Sequence, residues 1–256
     1  MLTHLSLFTG IGGIDLAAEW AGFETVGQVE FADYPTKVLE KHWPDVPRWR
    51  DIRTVTKESF YGKTGLRTVD LITGGFPCQP FSVAGRRKGK EDDRYLWPEM
   101  LGVIRMLQPS WVLAENVAGL LSIDDGKRIS EIKQSLESEN YETTIILSPA
   151  CNYGAPFEGK RVFIVATSKS GRYRGRTSKK CGIKQRLLVK DEQQRYPAWG
   201  EAERRLVQTI RCQEALPSNL RSDYGFPDWV DRIKCLGNAV VPQQVYPILK
   251  AIAEVS

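Results

Sequence analysis

Val69-Asp70-Leu71-Ile72-Thr73-Gly74-Gly75-Phe76-Pro77-Cys78-Gln79-Pro80-Phe81-Ser82 is the stretch that decides how this chain folds. Val69 to Thr73 is a short apolar run that reads as a buried central strand. The loop after it is stiffened by Pro77 and Pro80, which fix φ and remove backbone donors. Cys78 therefore lies at the carboxyl end of a strand, the edge at which open α/β sheets bind their ligands. A lone cysteine is ordinarily a small buried hydrophobe. On a rigid loop at such an edge, a thiol becomes a candidate nucleophile once its thiolate is favoured.

Outward from this strand, helix-like and strand-like segments alternate, which is the signature of an α/β sheet. Leu5 to Phe8 reads as a first strand, and Gly10 to Gly13 as a tight turn. Ile14, Ala17, Ala18 and Ala21 form a helical stripe that Gly22 stops. Thr25 to Glu30 reads as a second strand, followed by a helix with Pro35 near its start. A helix over 96–107 ends before Pro109, Trp111 to Glu115 is another strand, and Ile129, Ile132 and Leu136 mark a further helix. Tyr141 to Leu147 and Arg161 to Thr167 are predicted to form an antiparallel hairpin at the sheet edge. A closing helix spans 243–255, interrupted by Pro247.

The pattern fades between Ser168 and Cys235, where charge, glycine and proline rise. The chain is therefore expected to divide into an α/β domain over 1–167, a small irregular region over 168–235, and a C-terminal segment over 236–256 that returns to the first domain. The formal net charge of +5 is local in origin: residues 169–190 hold nine basic side chains and no acidic one. Such a run is either a solvated tail or a polyanion-binding loop, and the interleaved Gly171, Tyr173 and Gly175 favour the loop.

No apolar run approaches the roughly 18 residues a membrane helix needs, and the first residues carry no basic segment ahead of an apolar one, so neither a membrane span nor a secretion signal is expected. Five widely spaced cysteines, with no CxxC pair, argue against a metal site or a disulfide framework and for a cytoplasmic protein.

Two further constellations bear chemistry. In Phe8-Thr9-Gly10-Ile11-Gly12-Gly13 the glycines let a ligand approach the backbone near the positive end of a helix. Asp15 stands at the third glycine position of the dinucleotide fingerprint, so a pyrophosphate fits poorly and a nicotinamide dehydrogenase is disfavoured. Glu30 closes the second strand, where a carboxylate can accept from ribose hydroxyls, and the two features together suit an adenosine ligand without a pyrophosphate. By itself the glycine turn could be a turn and nothing more. Glu115, in Glu115-Asn116-Val117, ends a strand at the same sheet edge as Cys78. It is either a solvated strand end or the acid partner of a nucleophile.

Five motifs in order resemble those of the DNA cytosine-5 methyltransferases: the Phe8–Gly13 turn, Pro77-Cys78-Gln79, Glu115-Asn116-Val117, Tyr153-Gly154-Ala155-Pro156 and Gly237-Asn238-Ala239-Val240. The chain is similar to a compact, phage-type member of that family. The resemblance implies a Rossmann-like, S-adenosylmethionine-dependent methyltransferase fold with a mostly parallel sheet and an antiparallel edge hairpin, beside a small target-recognition region. It implies transfer of a methyl group from S-adenosyl-L-methionine to C5 of a cytosine flipped out of double-stranded DNA. Cys78 would add to C6, Glu115 would hydrogen-bond the ring near N3, and Arg161 would contact the cytosine carbonyl. Phe8 would face the adenine, Gly10 and Gly12 would allow close approach, Glu30 would hold the ribose, Asp51 the adenine amino group, and Asn238 would lie near the methionine end. Arg86-Arg87-Lys88-Gly89-Lys90 fits a loop that closes over DNA, or an exposed charged loop. A monomer without a metal is expected. Phe157 and Gly159 stand where the family has Gln and Arg, which motivates one alternative, a catalytically impaired DNA-binding relative; a separate alternative is an RNA cytosine-5 methylase on the same scaffold.

Overall fold

A computed structural model describes residues 1–77, 95–155, 157–170 and 239–256. The elements in chain order are β1 (Leu2–Leu7), α1 (Gly13–Trp20), β2 (Phe23–Val29), α2 (Asp33–His42), β3 (Arg48–Trp49), α3 (Lys57–Thr64), β4 (Leu71–Gly75), α4 (Trp97–Leu107), β5 (Trp111–Val117), α5 (Lys127–Ser138), β6 (Tyr141–Ser148), β7 (Arg161–Ser168) and α6 (Pro242–Val255). Seven strands form one sheet in the order β3-β2-β1-β4-β5-β7-β6. The first five are parallel to their neighbours, and β7 runs antiparallel to both β5 and β6. The α/β architecture and the antiparallel edge hairpin agree with the expectation from sequence.

The period-2 geometry of the strands explains the layering. On β4 and β5, Ile72, Val112 and Ala114 join the core formed with α3, α4 and α5, including Phe60, Met100, Ile104, Ile132 and Leu136. Their neighbours Leu71, Trp111 and Leu113 join the opposite core, formed with α1 and α6 through Ile14, Ala17, Ala18, Val245, Leu249 and Ile252. A sheet covered on both faces needs near-continuous apolar strands, which is why these segments are legible as strands.

Beneath α1 the inner face of the sheet is polar. His4 on β1 is fully buried, its ring nitrogens 2.9 Å from Thr25 Oγ1 and 2.7 Å from Thr73 Oγ1 on the two flanking strands. Burial pushes its pKa down to about 3, so the ring is neutral. Two residues on, Ser6 Oγ donates to Asp15 Oδ2 (2.8 Å) and Gln28 Nε2 donates to Asp15 Oδ1 (2.9 Å), tying α1 to β1 and β2. Arg48 Nε extends this network to β3 by donating to Gln28 Oε1 (2.9 Å).

Three features differ from the sequence reading. The short β3 and the helix α3 are additional elements. α3 carries one buried side chain, Phe60, and so no apolar stripe; its start is fixed by a reciprocal cap between Thr56 and Ser59. The closing helix is not interrupted at Pro247 but runs unbroken from Pro242 to Val255. A proline inside a helix costs about 3 kcal/mol, and here it is offset by the burial of Val245, Ile248, Leu249 and Ile252 along one face. The irregular region expected over 168–235 lies outside the described residues beyond Ser170.

Candidate functional site

The order reversal between β1 and β4 places the segments after both strands at one edge of the sheet, where α/β folds form ligand crevices. A cavity of about 820 Å³ opens there. Its walls run from Phe8, Glu30 and Asp51 on one side to Gly75, Pro77 and Glu115 on the other, with Ala239 and Val240 from the segment leading into α6.

The first wall is built by Glu30. One carboxylate oxygen accepts from the backbone N–H of Gly10 (2.7 Å) and the other from that of Ala32 (2.8 Å), so one side chain locks the turn after β1 to the turn after β2. Phe8, at φ 52°, bends the chain out of β1 and turns into this wall. Asp51 caps the short turn Ile52–Thr54 by accepting from Arg53 N (2.9 Å). Arg53 in turn reaches Glu99 at the start of α4 (3.4 Å). Gly12 does not line the cavity: at φ 88° it caps α1, and a Cβ there would lie 2.4 Å from the Trp43 ring.

The structure adds a residue that sequence reasoning missed. Phe31 directly follows Glu30, lines the cavity and leaves 77 % of its surface exposed. Arg50 Nη2 holds it from behind by donating to its carbonyl (2.6 Å) and to Asp33 Oδ1 (2.5 Å). An aromatic immediately after a strand that ends in an acid was the available signal.

At the other wall the parallel register sets Gly75 beside Glu115. A Cβ on Gly75 would stand 3.0 Å from Glu115 Oε2, so the bare backbone leaves room for the carboxylate. Asn116 Nδ2 donates to Phe76 O (2.8 Å), binding the two motifs together one residue before Pro77. Glu115 pairs with Phe163 in the antiparallel register, which puts Arg161 two residues away on the same face. Arg161 Nε contacts Glu115 Oε1 at 2.9 Å, with both side chains largely buried. Burial raises the Glu115 pKa to about 7, against the opposing pull of Arg161. An acid poised near neutrality at a cavity wall can hold or give a proton at working pH.

Phe157 and Gly159 form a packed unit. Phe157 lies against the small cluster of Ala150, Ala155 and Val241. Gly159 has φ 43°, and a Cβ on it would come within 2.6 Å of the Phe157 ring. A long polar side chain at either position would have to displace this apolar plug. Cys78, Asn238, the basic loop Arg86 to Lys90 and the cluster beyond Lys169 lie outside the described residues.

A family model for C-5 cytosine-specific DNA methylase matches residues 2–219. Among curated relatives, the Type II methyltransferase M.HgiCII of Herpetosiphon aurantiacus is 30% identical over 220 residues, 84% of this chain and 45% of the relative. M.FnuDI of Fusobacterium nucleatum, also a Type II methyltransferase, is 36% identical over 166 residues, 64% of this chain and 46% of the relative. The chain thus spans about half the length of these relatives. Among solved structures, a protein described as a DNA modification methyltransferase encoded within an E. coli prophage superposes with a TM-score of 0.69 at 20% identity, covering 100% of this chain and 99% of that one. The S. pombe Dnmt2 methyltransferase gives a TM-score of 0.65 at 16% identity, over 99% of both chains. At these identities the likeness is one of fold.

Proposed function

Because the chain belongs to the C-5 cytosine-specific DNA methylase family, we propose that it transfers a methyl group from S-adenosyl-L-methionine to C5 of a cytosine extruded from duplex DNA. The observation that carries this reading is the continuity of the cavity, which joins Phe8, Glu30 and Asp51 to Glu115 and to Pro77, the residue before Cys78.

The cofactor fits the first wall. The cavity's volume suits a drug-sized ligand; the apolar faces of this wall are Phe8, Phe31 and Ile52, and its charged groups include the carboxylates of Glu30, Asp33 and Asp51, with the guanidiniums of Arg50 and Arg53 engaged by Asp33 and by Asp51 and Glu99. Carboxylates suit ribose hydroxyls, an adenine amino group and a cationic sulfonium, and they oppose a pyrophosphate. Asp15 gives no hold to phosphate either, because it is sealed beneath α1 on Ser6 and Gln28. Glu30 would hold the ribose, Asp51 the adenine amino group, and Phe8 the adenine face, with Asn238 near the methionine end. When bound, S-adenosylmethionine supplies an electrophilic methyl group.

The chain's own residues supply the activation. C5 of cytosine is a poor nucleophile. The Cys78 thiolate adds to C6, and electron density moves into the ring toward C5 and N3. Glu115, whose pKa burial raises to about 7, can carry the proton that hydrogen-bonds N3 where negative charge develops. Arg161 keeps that carboxyl oriented through the contact at Oε1 and presents donors toward the cytosine carbonyl. As C5 takes the methyl group the sulfonium S–CH3 bond would break and leave a neutral thioether; loss of the C5 proton to a solvent base then breaks the C6–S bond and Cys78 leaves as thiolate. Extrusion of the base costs a few kcal/mol of unstacking, to be offset by contacts with the duplex.

The Phe157–Gly159 plug favours a second reading, a relative that binds DNA without turnover. One experiment separates the two: methyl transfer from radiolabelled S-adenosylmethionine to duplex DNA by the full chain and by Cys78→Ala. Label in DNA with the parent chain and none with Cys78→Ala, at equal cofactor affinity, supports the enzyme. Label with both removes Cys78 from its role. Duplex binding without label from either establishes the second reading.

A further inference from the structure

Gln244 lies in the first turn of α6 and is 1 % exposed. Its side-chain amide nitrogen donates to two backbone carbonyls, those of Ser148 and of Gly159, the latter at 2.9 Å. Ser148 is the last residue of β6 and pairs with Arg161 across the hairpin. Gly159 precedes Arg161 by two residues in the same chain. One buried amide therefore holds the backbone on both sides of Arg161, the cross-strand neighbour and the approach to the strand. Gly159, in the left-handed region at φ 43°, turns the chain into that strand. The segment before Gln244 carries Ala239 and Val240, which line the cavity, so the helix follows directly from the cavity wall.

We infer that Gln244 is a positioning residue: by clamping Ser148 and Gly159 it sets where Arg161 enters β7, and so how Arg161 meets the Glu115 carboxylate. The C-terminal helix thereby fixes the geometry at the reacting wall without touching substrate. The functional part of this inference rests on reading Glu115 and Arg161 as part of a methyl-transfer site; the clamp itself does not.

Gln244→Met keeps the volume and apolar packing of the side chain and removes its donors. Loss of a buried donor to two carbonyls is expected to lower kcat about tenfold, with cofactor affinity within about twofold of the parent chain. In an Arg161→Ala background the same change should cost nothing further, because residues acting through one another are not additive. A purely packing role predicts that Gln244→Met is silent, and a general loss of stability predicts the same penalty in both backgrounds; either result overturns the inference. A readout free of activity is the carbon-13 titration of the Glu115 carboxyl. With Arg161 loosened, Glu115 loses an opposing cation and titrates at higher pH in Gln244→Met than in the parent chain; an unchanged titration overturns the clamp. If the parent chain transfers no methyl yet the titration moves as expected, the methyl-transfer reading fails and the clamp stands. Should Gln244→Met not fold, Gln244→Asn, which keeps a donor one methylene short, carries the same readouts and the same expected signs.

Discussion

Two carboxylates are buried at the carboxyl edge of this sheet, and their surroundings differ. Asp15, beneath α1, is fully enclosed and accepts from the neutral donors Ser6 and Gln28. Glu115, on β5, forms part of a cavity wall and pairs with a guanidinium, Arg161. Burial raises both, Asp15 to about 6 and Glu115 to about 7. A perturbed acid is thus no site by itself. What separates the two is access: Glu115 faces a space that a ligand can enter, while Asp15 faces helix and sheet and holds elements together.

The largest expected effect breaks the comparison at Glu115. Glu115→Gln keeps the shape and removes the ionisable proton, so methyl transfer should fall by about 10²–10⁴-fold, with cofactor affinity little changed. Steady-state kinetics with a separate cofactor titration checks this; equal losses in kcat and cofactor binding would place Glu115 in the cofactor site instead. A smaller effect is expected at the rim. Phe31→Ala removes an exposed aromatic face from the cavity, and cofactor affinity should weaken about tenfold with kcat at saturating cofactor preserved. Calorimetric titration reads the first quantity, and initial rates read the second.

The smallest effect on activity is expected at Asp15, where stability is the useful measurement. Burial raises its folded pKa to about 6, above the ordinary aspartate value of 3.8. Between these values the folded state binds the proton that the unfolded state has released, so the contribution of Asp15 to stability falls as pH rises from about 4 to about 6, opposite in sign to that of buried His4, and is read as the difference between the parent chain and Asp15→Asn. The loss is at most about 3 kcal/mol. In Asp15→Asn this part of the pH dependence should vanish, while methyl transfer stays within about threefold of the parent chain. Thermal unfolding at several pH values across that window tests the first statement. A folded Asp15→Asn chain with transfer abolished would show that Asp15 shares the role assigned to Glu115.

The same contrast explains what the sequence reveals. The central strands are legible because both faces are apolar: Leu71 and Ile72, or Val112 and Leu113, bury into opposite cores. α3 is not, since Phe60 alone is buried there and its start depends on a local cap. The continuous run of α6 through Pro247 is a tertiary effect that a local rule gets wrong. Within the site, Phe8, Gly10, Glu30, Asp51 and Glu115 all reach one cavity, each at a strand end or turn where position in the pattern carries the information. The pairing of Arg161 with Glu115 and the placing of Phe31 depend on strand register and on which way a turn leaves the sheet. Neither is written in spacing. Gly12 shows the reverse case, a glycine in a ligand-binding motif whose missing side chain makes room for Trp43.

The central claim is methylation of cytosine at C5, and bisulfite sequencing of DNA from cells expressing the full chain tests it most directly. The account predicts cytosines protected from conversion in one recurrent sequence context, with protection lost in cells expressing Cys78→Ala. Complete conversion in cells that contain the folded parent chain would contradict it.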